Sequence, residues 1–298
     1  MVRRIRHTIT FLLVVPAFFF VQGCAGPRLH TDPATQDEAA VVLEAFERFQ
    51  ALGLQACGCC LDAETDIALS VAGWFKNHSA KFFGYLQAME PGYIRFVATN
   101  QLGQPLFLFV SDGLMFSHLN VYQEKAYTGS TASEAYRQFV PPGLTPDYLF
   151  SWLTGRLPPV EIRVKEVKRG RVQDAFWLRL VPAGGTTESM ILFDPENLLI
   201  RRHVVRDSQG RELVDIRYPE YRFLPGSGPT AKAAGLPEPS GQAREQGGCR
   251  FPARVTVASS RNDRKIDISL GSFLAGAHFT ADDFQVDIPD NFQQLFVK

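Results

Sequence analysis

Thiols are the side chains in this 298-residue sequence whose positions most invite chemistry. Cys24 closes a short apolar run, Cys57, Cys59 and Cys60 are clustered, and Cys249 stands far from both. In an oxidising compartment thiols pair, and directly adjacent cysteines rarely pair with each other. Cys249 is therefore the candidate disulfide partner of Cys57, Cys59 or Cys60. No histidine lies close enough to the cluster to complete a zinc set, so no metal site is expected. The constellations that carry catalysis are absent from the sequence: there is no G-x-S-x-G elbow, G-x-x-x-x-G-K-[ST] phosphate loop, H-E-x-x-H pair or G-x-G-x-x-G turn. The six His are scattered, and the neighbouring acids Asp282 and Asp283 would point apart in a strand. With no nucleophile beside a base, neither an enzyme nor a bound cofactor is expected.

The apolar run before Cys24 carries its own information. Ile9 to Val21 reads ITFLLVVPAFFFV, with Arg3, Arg4 and Arg6 ahead of it and Gln22-Gly23 behind. A basic start, a short apolar core and a small residue before the cut describe a secretory signal over residues 1–23. At about a dozen residues it is shorter than the ~20 needed to span a bilayer, and Pro16 interrupts it. Because it ends on Gly-Cys, the segment resembles a bacterial lipoprotein signal. That resemblance implies diacylglycerol on the Cys24 thiol, cleavage just before it and acylation of the new amino group. Residues 24–34, with Gly26, Pro27 and Pro33, read as a tether. Removing residues 1–23 leaves 28 basic groups against 31 acidic, a net charge near −3. That balance, without a basic stripe, excludes nucleic acid as an expected partner.

Beyond the tether the hydrophobic period defines the elements. Ala39, Val42, Leu43, Phe46, Phe49 and Leu52 recur at helical spacing, and Gly53 is the expected stop. After Cys60 the period drops to two, and strand-like runs joined by short turns predict an antiparallel meander. Helices are expected at TASEAYRQF (131–139) and at TPDYLFSWLTG (145–155), the latter with Thr145 as N-cap, Pro146 in its first turn and Gly155 as stop. Residues 225–248, rich in Gly, Pro, Ala and Ser, read as a loop inside one domain of residues 35–298. The predicted fold class is α+β, mostly antiparallel β. Three amphipathic helices cannot cover so large a sheet, which leaves two solutions: a fully packed core, or a half-open sheet around an apolar cavity. The 24 Phe residues suit either. For a cavity, strand alternation and aromatic content select Phe82, Ile94, Phe96, Phe107 and Trp152.

Two segments favour the cavity. GYIRFVATNQLGQPLFLFV (92–110) resembles the strand–loop–strand of the outer-membrane lipoprotein receptor family LolB, and YLFSWLTGRLPP (148–159) resembles a helix of that family. The resemblance implies an incomplete β-barrel with helices covering an apolar cavity that holds acyl chains. It further implies a lipid-anchored monomer at the periplasmic face of the outer membrane of a Gram-negative bacterium. Such a protein accepts acylated lipoproteins from a periplasmic LolA-like carrier and inserts them into the outer-membrane bilayer, with a membrane-inserting Leu that maps onto Leu102 beside Gly103. Ala25 after the lipid cysteine agrees with outer-membrane sorting. Gln101 stands where the family has Pro, and the cysteine cluster and the 225–248 loop lie outside its pattern. The alternative is a structural or envelope-assembly lipoprotein of the same fold that binds another lipid or a protein partner.

Overall fold

The computed structural model describes residues 31–55, 60–71, 78–138, 140, 144–171, 174–183, 187–224, 249–259, 264–274 and 277–298. The chain divides into a segment Met1–Thr31 and a compact unit Asp32–Lys298. Cys24, Cys57, Cys59, the signal segment and the 225–248 loop lie outside the described residues.

Two meanders build one sheet. The first runs β2 (Cys60–Val71), β3 (His78–Met89), β4 (Tyr93–Thr99), β5 (Pro105–Ser111), β6 (Met115–Asn120) and β7 (Lys125–Ser130). The second runs β8 (Ile162–Gly170), β9 (Phe176–Pro182), β10 (Glu188–Asp194), β11 (Leu199–Arg206), β12 (Glu212–Leu224), β13 (Cys249–Ser259) and β14 (Arg264–Phe273). Antiparallel pairing of β14 with β2, Ile266 opposite Leu69 and Ile268 opposite Ile67, joins them. A short strand β1 (Thr31–Pro33) lies at the β8 edge, and β15 (Gln293–Val297) pairs in parallel with β7 at the other. Among the described residues the sheet therefore has fifteen strands, with β1 and β15 at its edges.

This strand order dictates where the helices go. β7 and β8 are consecutive in sequence but lie near opposite edges, so the connection 131–161 must cross a face of the sheet. It does so through a one-turn 3-10 helix, Pro146–Tyr148, and the short helix α2 (Leu149–Leu153). The longer helix α1 (Gln36–Gln55) links the β1 edge to β2. Thr35 and Glu38 cap its start reciprocally, each side chain accepting the other's backbone N–H. α1 lays Val42, Ala45, Phe46 and Phe49 on Leu178, Leu180, Ile191, Phe193, Val214 and Ile216, so the β9–β12 half of the inner face is solidly filled. Phe46 meets Phe193 edge-on at 5.6 Å. The outer face of the other half is strapped by the segment leading to β15. Phe284 packs on Tyr93, and the Arg95 guanidinium donates to the Asp283 carbonyl at 3.0 Å.

Several elements differ from expectation. Residues 131–138 form turns and one 3-10 turn, Tyr136–Gln138, because Ser130 and Ser133 side chains accept the N–H groups of Ala132 and Tyr136 that a helix would use. α1 continues past Gly53 to Gln55; a helical Gly costs only about 1 kcal/mol, too little to stop a packed helix. Thr31–Pro33, at the end of the expected tether, form β1. Near the end of the chain Thr280 and Asp283 close a capping box that sets a 3-10 turn at Ala281–Phe284. The meander holds throughout except at β15, whose chain returns across the outer face and must run parallel to β7. Cys60, at the start of β2, is one half of a disulfide, and Cys249 opens β13.

Within the packed half, His203 on β11 is fully buried, its Nε2 2.8 Å from Ser189 Oγ. Burial lowers its pKa from the usual 6.5 to about 4. Between those values the unfolded chain binds the extra proton and the folded chain does not. The contribution is therefore complete above pH 6.5 and lost progressively towards pH 4, by up to about 3 kcal/mol. Urea midpoints of the parent and of His203→Gln, compared from pH 7 to pH 4, should show the parent losing the larger share of its stability.

Candidate functional site: an apolar pocket and its rim

The inner face opposite α1 is not filled. Strands β13, β14, β2, β3, β4, β5 and β6 enclose with the crossing connection a cavity of about 270 Å³. Val255 and Val257 line it from β13, Ile266 and Ile268 from β14, Ile67 and Leu69 from β2, Phe82 and Leu86 from β3, Ile94 and Phe96 from β4, Phe107 and Phe109 from β5. Five strand spacings separate β13 from β5, about 24 Å in a flat sheet. Side chains from both can line one small cavity only because the sheet curls. Gly84 on β3 marks a tight point of that curl: a Cβ there would overlap the Val97 carbonyl oxygen and sit 3.1 Å from the Phe96 ring.

The five residues selected from the sequence for a cavity, Phe82, Ile94, Phe96, Phe107 and Trp152, all line this one. Phe107 meets Phe82 edge-on at 5.2 Å and Phe96 at 5.7 Å. Among the described residues the lining carries no charged side chain; His118, its polar member, packs its ring on Phe107 at 5.6 Å, and burial lowers its pKa, favouring the neutral ring. Such a surface offers a ligand dispersion and water release.

The roof is the crossing connection, through Val140, Leu144, Leu149, Trp152 and Leu153. It is fastened at the end of the sheet that carries the β3–β4 turn. There Gly92 lies so close beneath it that a Cβ would meet the Pro146 carbonyl oxygen at 2.6 Å. Arg156 stands 3.8 Å from Glu90 and over the rings of Phe150 and Phe251. Burial pulls the Arg156 pKa down to about 10, opposed by the Glu90 charge. Phe150 and Leu153 plug this end against Leu61, Ala63, Leu86, Phe251 and Leu270. On the other side the Tyr218 hydroxyl donates to the Trp152 carbonyl at 2.8 Å. Beyond this plug the lining continues through Ile67, Leu69, Phe82, Phe107, Val257 and Ile266 towards the opposite end of the strands.

That opposite rim carries Leu102. The β4–β5 turn is held by Asn100, whose side-chain oxygen accepts the N–H of Leu102 at 2.9 Å and of Gln104 at 3.0 Å. The Asn100 side-chain amide also donates to Gln104 Oε1 at 2.9 Å. Gly103 has φ +78° with nothing near its Cβ position, so the turn needs glycine for its backbone and not for space. Leu102 is 83% exposed at the tip. Its neighbours on the inner face reach the same rim: Leu69, Ile266 and Val257 each lie two residues from their strand end.

The sequence reading missed the β13 and β14 wall. The alternation was visible in Val255/Val257 and Ile266/Ile268, yet only the β14–β2 pairing brings them beside Phe82. Cys24, Cys57 and Cys59 lie outside the described residues.

Gly155 ends the roof with φ +67°, and a Cβ there would meet the Tyr221 hydroxyl at 2.6 Å and Pro252 at 3.1 Å. Gly155→Ala should lower stability by about 1–3 kcal/mol. Denaturant titration measures the loss, and faster protease cleavage within 144–157 would show that the roof is the part released.

No family model matches the chain, and no curated protein matches it. Its fold does match solved structures. An outer membrane lipoprotein-sorting protein domain from Vibrio parahaemolyticus superposes with a TM-score of 0.51 at 10% identity, over 82% of this chain and 97% of that one. A DUF1329 family protein from Desulfovibrio piger gives 0.51 at 12% identity, over 86% and 98%. A LolA superfamily protein from Nitrosomonas europaea gives 0.48 at 8% identity, over 83% and 97%. At these identities the likeness is one of fold alone: an open, mostly antiparallel sheet.

Proposed function

We propose that this protein is a lipid-handling lipoprotein, anchored through Cys24 at the periplasmic face of the outer membrane. It receives acylated lipoproteins from a periplasmic carrier and passes their acyl chains to the bilayer. The observation that carries the reading is an apolar cavity whose described lining reaches, through Leu69, Val257 and Ile266, the end of the sheet that displays Leu102. The lipoprotein-sorting fold supports it. At about 270 Å³ the cavity is smaller than the ~300–1,000 Å³ of ordinary ligand sites, so loading requires the roof to lift. The fastenings at Gly92 and Arg156 lie at the far end, which leaves the Leu102 side free to open.

The chemistry needs no catalyst or nucleotide. Each methylene moved out of water is worth about 0.8 kcal/mol, and a bilayer satisfies a long chain more completely than a small cavity does. Transfer therefore runs downhill once the rim meets the membrane. An exposed Leu at that rim gains about 1.5–3 kcal/mol if fully buried in lipid.

Two measurements test this. Mass spectrometry of organic extracts from the purified protein should find acyl-bearing molecules at a defined stoichiometry; an empty extract, with a protein partner recovered instead, favours an envelope-assembly role. Leu102→Glu should leave stability within about 0.5 kcal/mol, since the side chain is exposed. It should keep bound lipid yet stop delivery of lipoproteins to the outer membrane in a depleted strain. Normal delivery by that variant would overturn the proposed role of Leu102.

A further inference from the structure

Tyr122 is the most exposed large hydrophobic residue among the described residues, at 92%. It sits at the tip of the β6–β7 turn, and nothing in the fold accounts for an aromatic ring held so far into solvent. The turn is ordered: Asn120 Oδ1 accepts the Gln123 N–H at 3.0 Å, and Glu124 takes φ +50°. Its neighbour is the Leu102 turn. The Val121 N–H donates to the Leu106 carbonyl at 3.1 Å, and Phe107 pairs with Asn120, so the two tips end at the same rim. Two strand spacings, about 10 Å, separate the hairpins. The pocket wall formed by Leu69, Val257 and Ile266 comes within two residues of its strand ends at this same rim.

We propose that Tyr122 is a second membrane-seating residue. Its ring enters the headgroup layer of a phospholipid bilayer beside Leu102, and the pair turns the open side of the pocket towards the lipid. The inference rests on the proposed function and adds orientation to it. One inserted Leu lets the rim rock about a point, whereas two tips about 10 Å apart fix a line along the rim. Tyr suits the shallower position because its ring is apolar and its hydroxyl remains hydrogen-bonded to water or phosphate. Leu suits the deeper one. The β11–β12 turn, at the same end of the sheet, carries the polar Ser208 and Gln209 at its tip instead and provides an internal comparison.

The test uses the full-length chain reconstituted into vesicles of phosphatidylethanolamine and phosphatidylglycerol, with and without brominated acyl chains. Tyr122→Trp, Leu102→Trp and Ser208→Trp each add one indole, read as the difference in emission from the parent. Bromine should quench the added emission at 122 and at 102, and leave that at 208 unchanged. In a Leu102→Trp background, Tyr122→Ser should reduce the quenching. An unquenched Trp at 122 beside a quenched one at 102 overturns this inference and leaves the proposed function standing. If both are unquenched, the membrane-seating reading of the rim falls and this inference falls with it. Equal quenching at all three sites overturns the specific role of Tyr122. Shielding at 122 that needs an added soluble protein rather than lipid makes the tip a protein contact and also overturns it.

Discussion

An open sheet with an apolar inner face must be covered, and among the described residues two α-helices, of twenty and five residues, take up the task. Everything distinctive about the molecule follows from that mismatch. The longer helix has a full apolar stripe and fills its half of the face to a solid core around Phe46, Phe193 and Ile191. The shorter one fills only the end nearest its own fastenings. The remaining space cannot collapse, because the strands around it are locked to their neighbours by continuous ladders, and a sheet closes further only by changing its curl. A cavity is the residue of these constraints.

The cavity's asymmetry comes from the same source. The connection between β7 and β8 has to travel from one edge region of the sheet to the other, and its helical turn docks where Gly92 permits the closest approach. Arg156 then holds it there with two rings beneath its guanidinium and Glu90 alongside. One end of the space is thereby bolted and the other is left to the hairpin tips. Those tips are stiffened by Asn side chains, Asn100 in one turn and Asn120 in the next, so that exposed apolar groups are presented rather than folded back. Rigid presentation matters energetically, since a residue already ordered loses less entropy when it enters another phase.

Much of this was legible in the sequence, and the parts that were not share a cause. Strand alternation placed Phe82, Ile94, Phe96 and Phe107 on one face, because period two is a local property that survives without knowledge of partners. The helix from Gln36 was equally plain from its 3.6-residue stripe. TASEAYRQF misled, since helical composition is outweighed there by two serines that satisfy the backbone locally. Tyr122 carried no signal at all: a tyrosine between a strand and a turn is ordinary in sequence, and only its isolation in space makes it notable.

Local patterning by itself determined the meander, the amphipathic first helix, and the Asn-Gln-Leu-Gly turn that displays Leu102, because each depends on residues within a few positions of one another. What tertiary structure decided is which strands meet. The pairing of β14 with β2 closes residues almost 200 positions apart into one wall, and the crossing of 131–161 chooses the face that receives a roof. No local propensity encodes either one. Both arise because two meanders share a single apolar face and the chain linking them must pass over it.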